Sequence, residues 1–393
     1  MKPAAEIAGA GIAGLTAGLA LAQKGWRVRV HEQDSRLRSA AESVHLWENG
    51  LRVLDALGVL APAIADAIPV IRHERRNPDG RTFSSSHFGP QFRLYAPLHA
   101  DLLRVLHDAL IDTGGQVVFD SRVIAAAPEG WLYLADGSSL RADLIVGADG
   151  TGSAIRDGLG LLKRRRATNQ FGYQTVISRN PGLCEADEDC THCEYWSGAR
   201  RVLYAPATAT LASVQLTSLA ADNSGNAVPI DRQSWRELFP NLSWIIDRIP
   251  DDCHGAWFEI VRPEYWSIGR VAIIGDAATA QPPFLGHGAG CSMMAAFALV
   301  QTIDRTDDLI EGLAEWELRE RPFTDWVQWI ACRYARLAFL PAEARTVVLK
   351  GIDASRWAQR RILFAAASRD VTAMRRYSPA YPRNGSIIYP LIH

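Results

Sequence analysis

The segment Gly9-Ala10-Gly11-Ile12-Ala13-Gly14 constrains this chain more than any other. It lies between a short apolar stretch at residues 5–8 and a helical pattern from Ala13 to Gly25, and Trp26–Val30 then alternates like a strand. Strand, glycine turn, helix and strand in that order make a βαβ unit, which demands a parallel sheet covered by helices. Gly9 permits the tight turn, Gly11 lets backbone N–H groups approach a pyrophosphate, and Gly14 allows the helix to pack closely on the strand. The helix N-terminus favours the negative charge. Glu32, at the end of the second strand, is placed to accept hydrogen bonds from an adenosine ribose. A carboxylate there repels a 2′-phosphate, so the spacing points to FAD or NAD and away from NADP.

The apolar run Ile7–Ala22 that contains this motif is shorter than the roughly 20 residues a bilayer requires and is interrupted by four glycines. A cleavable leader is the other reading, with Lys2 before the run and Ala20-Leu21-Ala22 imitating a cleavage site, but glycine at this frequency is poor chemistry for one. The 393 residues are enough for two or three domains. With 42 Lys and Arg against 43 Asp and Glu, the net charge of -1 gives no general attraction to nucleic acid or anionic membrane. Six cysteines are too few for a disulfide scaffold and fit a reducing cytoplasm.

Further along, residues 49–60 and 99–111 carry apolar positions at helical spacing, and the Arg-, Ser- and His-rich stretch 69–97 reads as strands and loops. Gln116–Ala126, Trp131–Leu134 and Leu140–Gly147 alternate and predict an antiparallel meander, the last two joined at Asp136-Gly137. Residues 171–261 are strand-rich with one helix near Ser234–Phe239. A buried strand at 271–274, a Gly- and Pro-rich loop and helices at about 290–306, 309–340 and 355–374 follow, ending in a Pro-containing tail from Ser378.

Two later segments separate FAD from NAD. Asp143–Arg156 places Asp149-Gly150 directly after an apolar strand, and Val271–Ala278 does the same with Gly275-Asp276. An acid at a strand's carboxyl end, beside a glycine, suits a hydroxyl chain, and two such acids can converge on one extended cofactor. Together with Pro283 and Gly288-Ala289-Gly290, these motifs resemble the class A FAD-dependent aromatic hydroxylases, the family of p-hydroxybenzoate and salicylate hydroxylases. HEQDSRLR, HLWENGLRVLDALG, RRVLYAP, VPIDRQSW and GHGAGCSMM are most similar to its 2-methyl-3-hydroxypyridine-5-carboxylate oxygenase branch, over residues 5 to about 340.

The resemblance implies an α/β chain: a Rossmann-like FAD-binding domain of the glutathione-reductase type, an inserted β-sheet substrate domain and C-terminal helices. The FAD domain is expected at 1–66, 98–170 and 265–340, the substrate domain at 67–97 and 171–264, and a helical segment with an extended tail at 341–393. FAD contacts are implied for Gly9, Gly11, Ile12, Ala13, Gly14, Glu32, Gln33, Arg38, His99, Val123, Asp149, Gly150, Gly275, Asp276, Pro283, Gly286, Gly288, Ala289 and Gly290. In the family Glu32 holds the ribose, Asp276 the ribityl chain, and the loop from Pro283 lies beside the reactive flavin ring.

The implied reaction is reduction of FAD by NADH or NADPH, O2 addition to give a flavin C4a-hydroperoxide, and hydroxylation of a phenolic or hydroxypyridine ring. Ring opening, or a dehydrogenase or reductase that incorporates no oxygen, are the alternatives, as is a flavin-binding protein without turnover. Arg201 matches a substrate-domain arginine and would suit an anionic ring or carboxylate; His45, Trp47, Tyr173 and Gln215 are expected to face the same cavity. The sequence departs from the family at His99, where an arginine is usual, at Thr279, where a histidine is usual, and at Ser39–Ser43, which replaces a glycine-bearing turn.

Three other features read as structural. The CxxC of Cys190 and Cys193, with Cys184 and His192 nearby, lacks the second pair of a zinc ribbon, so no metal is expected. Lys163–Arg166 reads as a solvated turn, and Trp316–Trp329 as core or interface. No GxSxG is present. A small aromatic substrate is the expected partner, with no nucleic acid, no stable membrane association, and a monomer or homo-oligomer.

Overall fold

The structure, a computed structural model, describes residues 2–38, 41–89, 92–179, 190–253, 255–363 and 365. Its first layer is a six-stranded sheet in the spatial order Ser267–Ile268, Val271–Ile273, Leu144–Gly147, Ala4–Ala8, Arg27–His31, Gln116–Val118. All neighbours are parallel except the short edge pair Ser267–Ile268 with Val271–Ile273. Central strands covered on both faces read as apolar runs; Leu144–Gly147 is apolar and buried throughout, and Ala4–Ala8 is buried at every position, its one charge, Glu6, being met by Arg29 and His31. Helix Ile12–Gln23 packs against helices His99–Asp112 and Gly288–Ile303, so nearly its whole surface is buried.

The second layer is a seven-stranded sheet: Gly255–Pro263, Leu162–Ser178, Leu211–Leu219, Arg200–Pro206, Thr191–Ser197, Arg72–Arg76, Thr82–His87. It is antiparallel apart from Thr191–Ser197 beside Arg72–Arg76. One face packs on helices Arg232–Leu238 and Ser243–Ile246 through a core containing Tyr173, Val214, Trp235 and Phe239. The opposite face meets the long helix Leu309–Ala335 and the C-terminal helices Ala342–Ala354 and Arg356–Ile362.

Several sequence expectations are corrected in detail. Residues 116–126 divide: Gln116–Val118 extends the parallel sheet, while Val123–Ala127 joins Trp131–Leu134 and Ser139–Arg141 in the meander. Residues 140–147 divide likewise at Asp143, whose Oδ2 accepts the Ala4 N–H at 2.9 Å and so starts the parallel strand. Lys163–Arg166 is a strand, not a turn, because it pairs with Ile260–Arg262. Its charges are met by Glu264, 2.7 Å from Lys163, and Glu259, 2.8 Å from Arg165. That strand, Leu162–Ser178, runs through the expected boundary at 170/171. The tail from Ser378 and most of the helical stretch 355–374 lie outside the described residues, as does Cys184. No helix among the described residues is long and apolar enough to cross a membrane.

The glycine turn is held by backbone contact. Gly9 has φ +97°, and a Cβ there would meet the Ala148 carbonyl oxygen at 2.4 Å; a Cβ on Gly14 would meet the Gly9 carbonyl at 2.0 Å. Since neither neighbour is a side chain that can swing away, Gly14→Val is expected to cost about 2–3 kcal/mol. A urea-unfolding midpoint within error of the wild type would contradict this packing.

Candidate active site

A cavity of about 600 Å³ opens at the carboxyl ends of the parallel strands and continues across the face of the second sheet. Its first half is built by strand ends and glycine turns. Glu32 follows strand Arg27–His31, and its carboxylate accepts N–H groups from Ala10 at 2.9 Å and Asp34 at 3.1 Å, tying the second strand end to the glycine turn. Beneath it, buried His31 bridges Glu6 Oε2 and Ser121 Oγ, both at 2.8 Å. Gly11 opens helix Ile12–Gln23, and a Cβ there would meet nothing within 4 Å, so the absent side chain leaves a cradle at the helix N-terminus.

Two acids complete this half. Asp149 Oδ2 accepts the Ile155 N–H at 3.2 Å, while its Oδ1 is buried without a partner among the described residues. Asp276 is ringed by protein with its open side on the cavity, and burial raises its carboxyl above the ordinary range against the pull of Arg38. An orphaned carboxylate oxygen, a second carboxyl opening onto the same space and an empty cradle at a helix start are the donor and acceptor set that a dinucleotide with a polyol chain would complete.

The second half is reached past the loop Pro283–Gly288. Trp47 Nε1 donates to the Leu285 carbonyl at 3.0 Å and its ring packs edge-on against Phe88 at 5.0 Å, which fixes the loop. Gly286 has φ +64°, and a Cβ there would lie 2.8 Å from His45 Cβ. The chamber beyond is lined by Phe88, Leu94, Phe284, Tyr334 and Leu363 together with three histidines, the buried His73 and His192 and the half-buried His45.

Of the residues expected to bind cofactor, Gly9, Gly11, Ile12, Ala13, Glu32, Gln33, Arg38, His99, Val123, Asp149, Gly150, Gly275, Asp276, Pro283, Gly286, Gly288 and Ala289 all line this one cavity. Gly14 and Gly290 stand behind it and serve packing: a Cβ on Gly290 would meet the Asn49 side chain at 2.7 Å. His99 lies 3.7 Å from Glu42 through Nδ1, its pKa lowered by burial. Thr279 turns back to the Gly275 carbonyl at 3.3 Å. Of Ser39–Ser43, residues 39 and 40 lie outside the described residues, and Ser43 lines the cavity, its carbonyl accepting from Gln174 at 2.7 Å.

Among the substrate candidates the structure brings His45, Trp47 and Gln215 to the chamber but not Tyr173. Tyr173 points to the opposite face of its strand, where its hydroxyl donates to the Ala227 carbonyl and burial pushes its pKa up to about 12. Side chains alternate across a strand, so its neighbour Gln174 is the residue that lines the cavity, directly opposite Gln215.

Arg201 does not reach the cavity surface. It is fully buried just beyond the chamber lining and donates from Nε to Glu194 Oε1 at 2.5 Å and from Nη1 to Gln215 Oε1 at 3.0 Å, with Phe284 stacked 4.9 Å from the guanidinium. Glu194, fully buried, is met in addition by Tyr334 Oη at 3.0 Å, His73 Nε2 at 3.2 Å and Arg75 Nε at 3.3 Å. Burial alone would raise this carboxyl; Arg201, His73 and Arg75 outweigh it and hold it well below the ordinary range. Arg75 in turn holds Asp353 at 2.5 Å, anchoring helix Ala342–Ala354. Two guanidiniums thus face two carboxylates in direct ion pairs, while a third, the buried Arg345, lies over the other contact of Arg201, the Trp196 ring, 4.5 Å from its centroid, and meets Glu194 only through space.

His73 and Tyr334 line the cavity and Glu194 stands behind them, none singled out by the sequence motifs, while His192, read with the CxxC as structural, also lines it. The available signal is the turn at Gly198, which registers Trp196 opposite Arg201 and so puts Glu194 diagonal to it. The pairing of Thr191–Ser197 with Arg72–Arg76, which sets His192 beside His73 and Glu194 beside Arg75, has no local signal.

Residues 2–306 match the family model described as FAD binding domain. The chain belongs to this family, that of the class A flavoprotein monooxygenases. It is 36% identical over 349 residues to a putative 2-heptyl-3-hydroxy-4(1H)-quinolone synthase, AqdB1, of Rhodococcus erythropolis, covering 88% of this chain and 91% of that protein. It is 35% identical over 360 residues to the 2-heptyl-3-hydroxy-4(1H)-quinolone synthase of Mycobacteroides abscessus, covering 90% and 95%. Among solved structures, a mutant of 2-methyl-3-hydroxypyridine-5-carboxylic acid oxygenase superposes with a TM-score of 0.86 at 33% identity, covering 96% of this chain and 99% of the other. The FAD-binding fold with its inserted sheet and C-terminal helices is therefore the fold expected from the motifs.

Two outcomes test this geometry. Gly11→Val fills the cradle without touching the core, so its unfolding midpoint should equal that of flavin-free wild type, while the purified variant should not retain flavin on gel filtration; retention of full flavin absorbance would contradict the placement. The second concerns pH. Burial, then Arg201 and His73, lower His45 to about 4 from 6.5. The folded pKa is depressed, so the unfolded chain binds the extra proton, and stability present above pH 6.5 is lost as pH falls toward 4. His45→Leu should flatten that fall by close to one proton, about 1.4 kcal/mol per pH unit at its steepest, in urea titrations across that window; identical slopes would refute it.

Proposed function

We propose that this flavoprotein hydroxylates an uncharged 4-quinolone or closely related hydroxypyridine-type ring, with NADH or NADPH as reductant and O2 as oxidant. The observation that carries this reading is the continuity of the cavity: the glycine cradle and its acids open, past the Pro283–Gly288 loop, into an aromatic-walled chamber. A 4(1H)-quinolone is the N–H tautomer of a 4-hydroxyquinoline, so the hydroxypyridine expectation and the product named for the two relatives describe one ring chemistry.

When bound and reduced, FAD supplies the electrophilic oxygen. The chain's own part is binding and exclusion. The helix start at Gly11 would hold the pyrophosphate, Glu32 the ribose and Asp276 the ribityl chain, while the loop held by Trp47 would support the ring. Phe88, Leu94, Phe284 and Leu363 keep water from the reacting centre, where it would intercept the oxygen. A carboxylated pyridine, the substrate named for the structural neighbour, fits less well, since Arg201 and Arg75 are both committed to buried carboxylates.

Incubating the FAD-loaded protein with 2-heptyl-4(1H)-quinolone, NADH or NADPH and labelled O2 should give a product with one labelled oxygen at carbon 3. Nicotinamide oxidation without label in any quinolone, hydroxypyridine or phenol would instead favour a dehydrogenase or reductase.

A further inference from the structure

The three histidines of the chamber form a continuous row that the cofactor half does not use. His45 and His192 meet edge to face with ring centroids 5.2 Å apart, and His192 and His73 lie 4.7 Å apart. The row begins at the ring-supporting loop, where His45 touches Gly286, and ends at Glu194, 3.2 Å from His73. All three rings line the cavity, and Nε2 of His45 and of His192 is buried with no hydrogen-bond partner among the described residues. A buried ring nitrogen left unpaired is costly, and the cavity is where a partner can enter.

Charge decides what that partner is. Arg75 and Arg201 are balanced by Glu194 and Asp353, so these arginines leave no net charge at the chamber. Burial lowers His45 and His192, and the adjacent imidazoles and Arg201 resist their protonation further, so each neutral ring offers a nitrogen lone pair. No group of described residues is arranged to give that lone pair to a metal ion. What remains is a neutral ring that carries a hydrogen-bond donor.

We propose that His45 and His192, as neutral rings backed by His73 and Glu194, accept the ring N–H of an uncharged 4-quinolone-type substrate as a hydrogen bond and hold carbon 3 in place for hydroxylation. The inference rests on the hydroxylase reading and adds the group that selects and activates the ring. In a 4-quinolone, carbon 3 is conjugated with the ring nitrogen. A lone pair that accepts this N–H draws the N–H bonding electrons toward nitrogen and so supports its donation toward carbon 3, while the N–H bond stays intact and the imidazoles stay neutral.

The test measures binding of 2-heptyl-4(1H)-quinolone and its N-methyl derivative to the FAD-loaded protein, by perturbation of flavin absorbance, in the wild type, His192→Phe and His192→Gln. The wild type should bind the N–H form at least ten-fold more tightly. His192→Phe should reduce that preference to within two-fold, and His192→Gln, which keeps an acceptor oxygen, should restore part of it; kcat with the N–H form should fall more in Phe than in Gln. A preference absent from the wild type, or unchanged in His192→Phe, overturns the proposal, even if the wild type still incorporates labelled oxygen. A His192-dependent preference without labelled product supports this recognition and overturns the hydroxylase reading instead.

Discussion

Burying a carboxylate as completely as Glu194 is buried costs several kcal/mol unless cations and hydrogen bonds replace its water. The substrate half of the molecule is organised around meeting that cost. Arg201, Arg75, His73 and Tyr334 all converge on it, from two strands and a helix outside its own strand, and Arg75 passes the balance on to Asp353 in the C-terminal part of the chain. The same cluster therefore joins the sheet to helix Ala342–Ala354 and keeps Arg201 and Arg75 paired with carboxylates. An arginine that looks like an anion receptor in sequence lies paired behind the wall.

The cofactor half obeys a different constraint. There the backbone does most of the work, and side chains matter chiefly by being absent, as at Gly9, Gly11 and Gly14. The two halves meet at the Pro283–Gly288 loop, whose position is set by Trp47 on one side and by Phe284, stacked on Arg201, on the other. Oxygen chemistry on a ring needs such a junction: one side must present a polar cradle, the other a dry pocket, with a short rigid contact between them.

The difference in constraint explains what is legible in the sequence. A glycine-lined helix start is made by neighbours along the chain, so GxGxxG, Glu32, Asp149 and Gly275-Asp276 declare themselves by spacing, and the structure gathers all of them but Gly14 around one cavity. The chamber is made by strand register, which a single sequence does not print. Tyr173 and Gln174 differ by one position, and that one position separates the core from the cavity. His73 and His192 are far apart in sequence and become neighbours only because Arg72–Arg76 docks parallel to Thr191–Ser197. The boundary near 170 is obscured for a related reason, since one long strand, Leu162–Ser178, serves both the exposed basic edge and the chamber floor.

The central claim is that the chamber accepts a neutral ring through its histidines while Arg201 stays bound to Glu194. A crystal structure of the FAD complex with 2-heptyl-4(1H)-quinolone tests this most directly. The account predicts the ring N–H within hydrogen-bond distance of His45 or His192, carbon 3 toward the Pro283–Gly288 loop, and the Arg201–Glu194 pair intact. A ligand held by Arg201 swung away from Glu194, or bound outside the chamber, would contradict it.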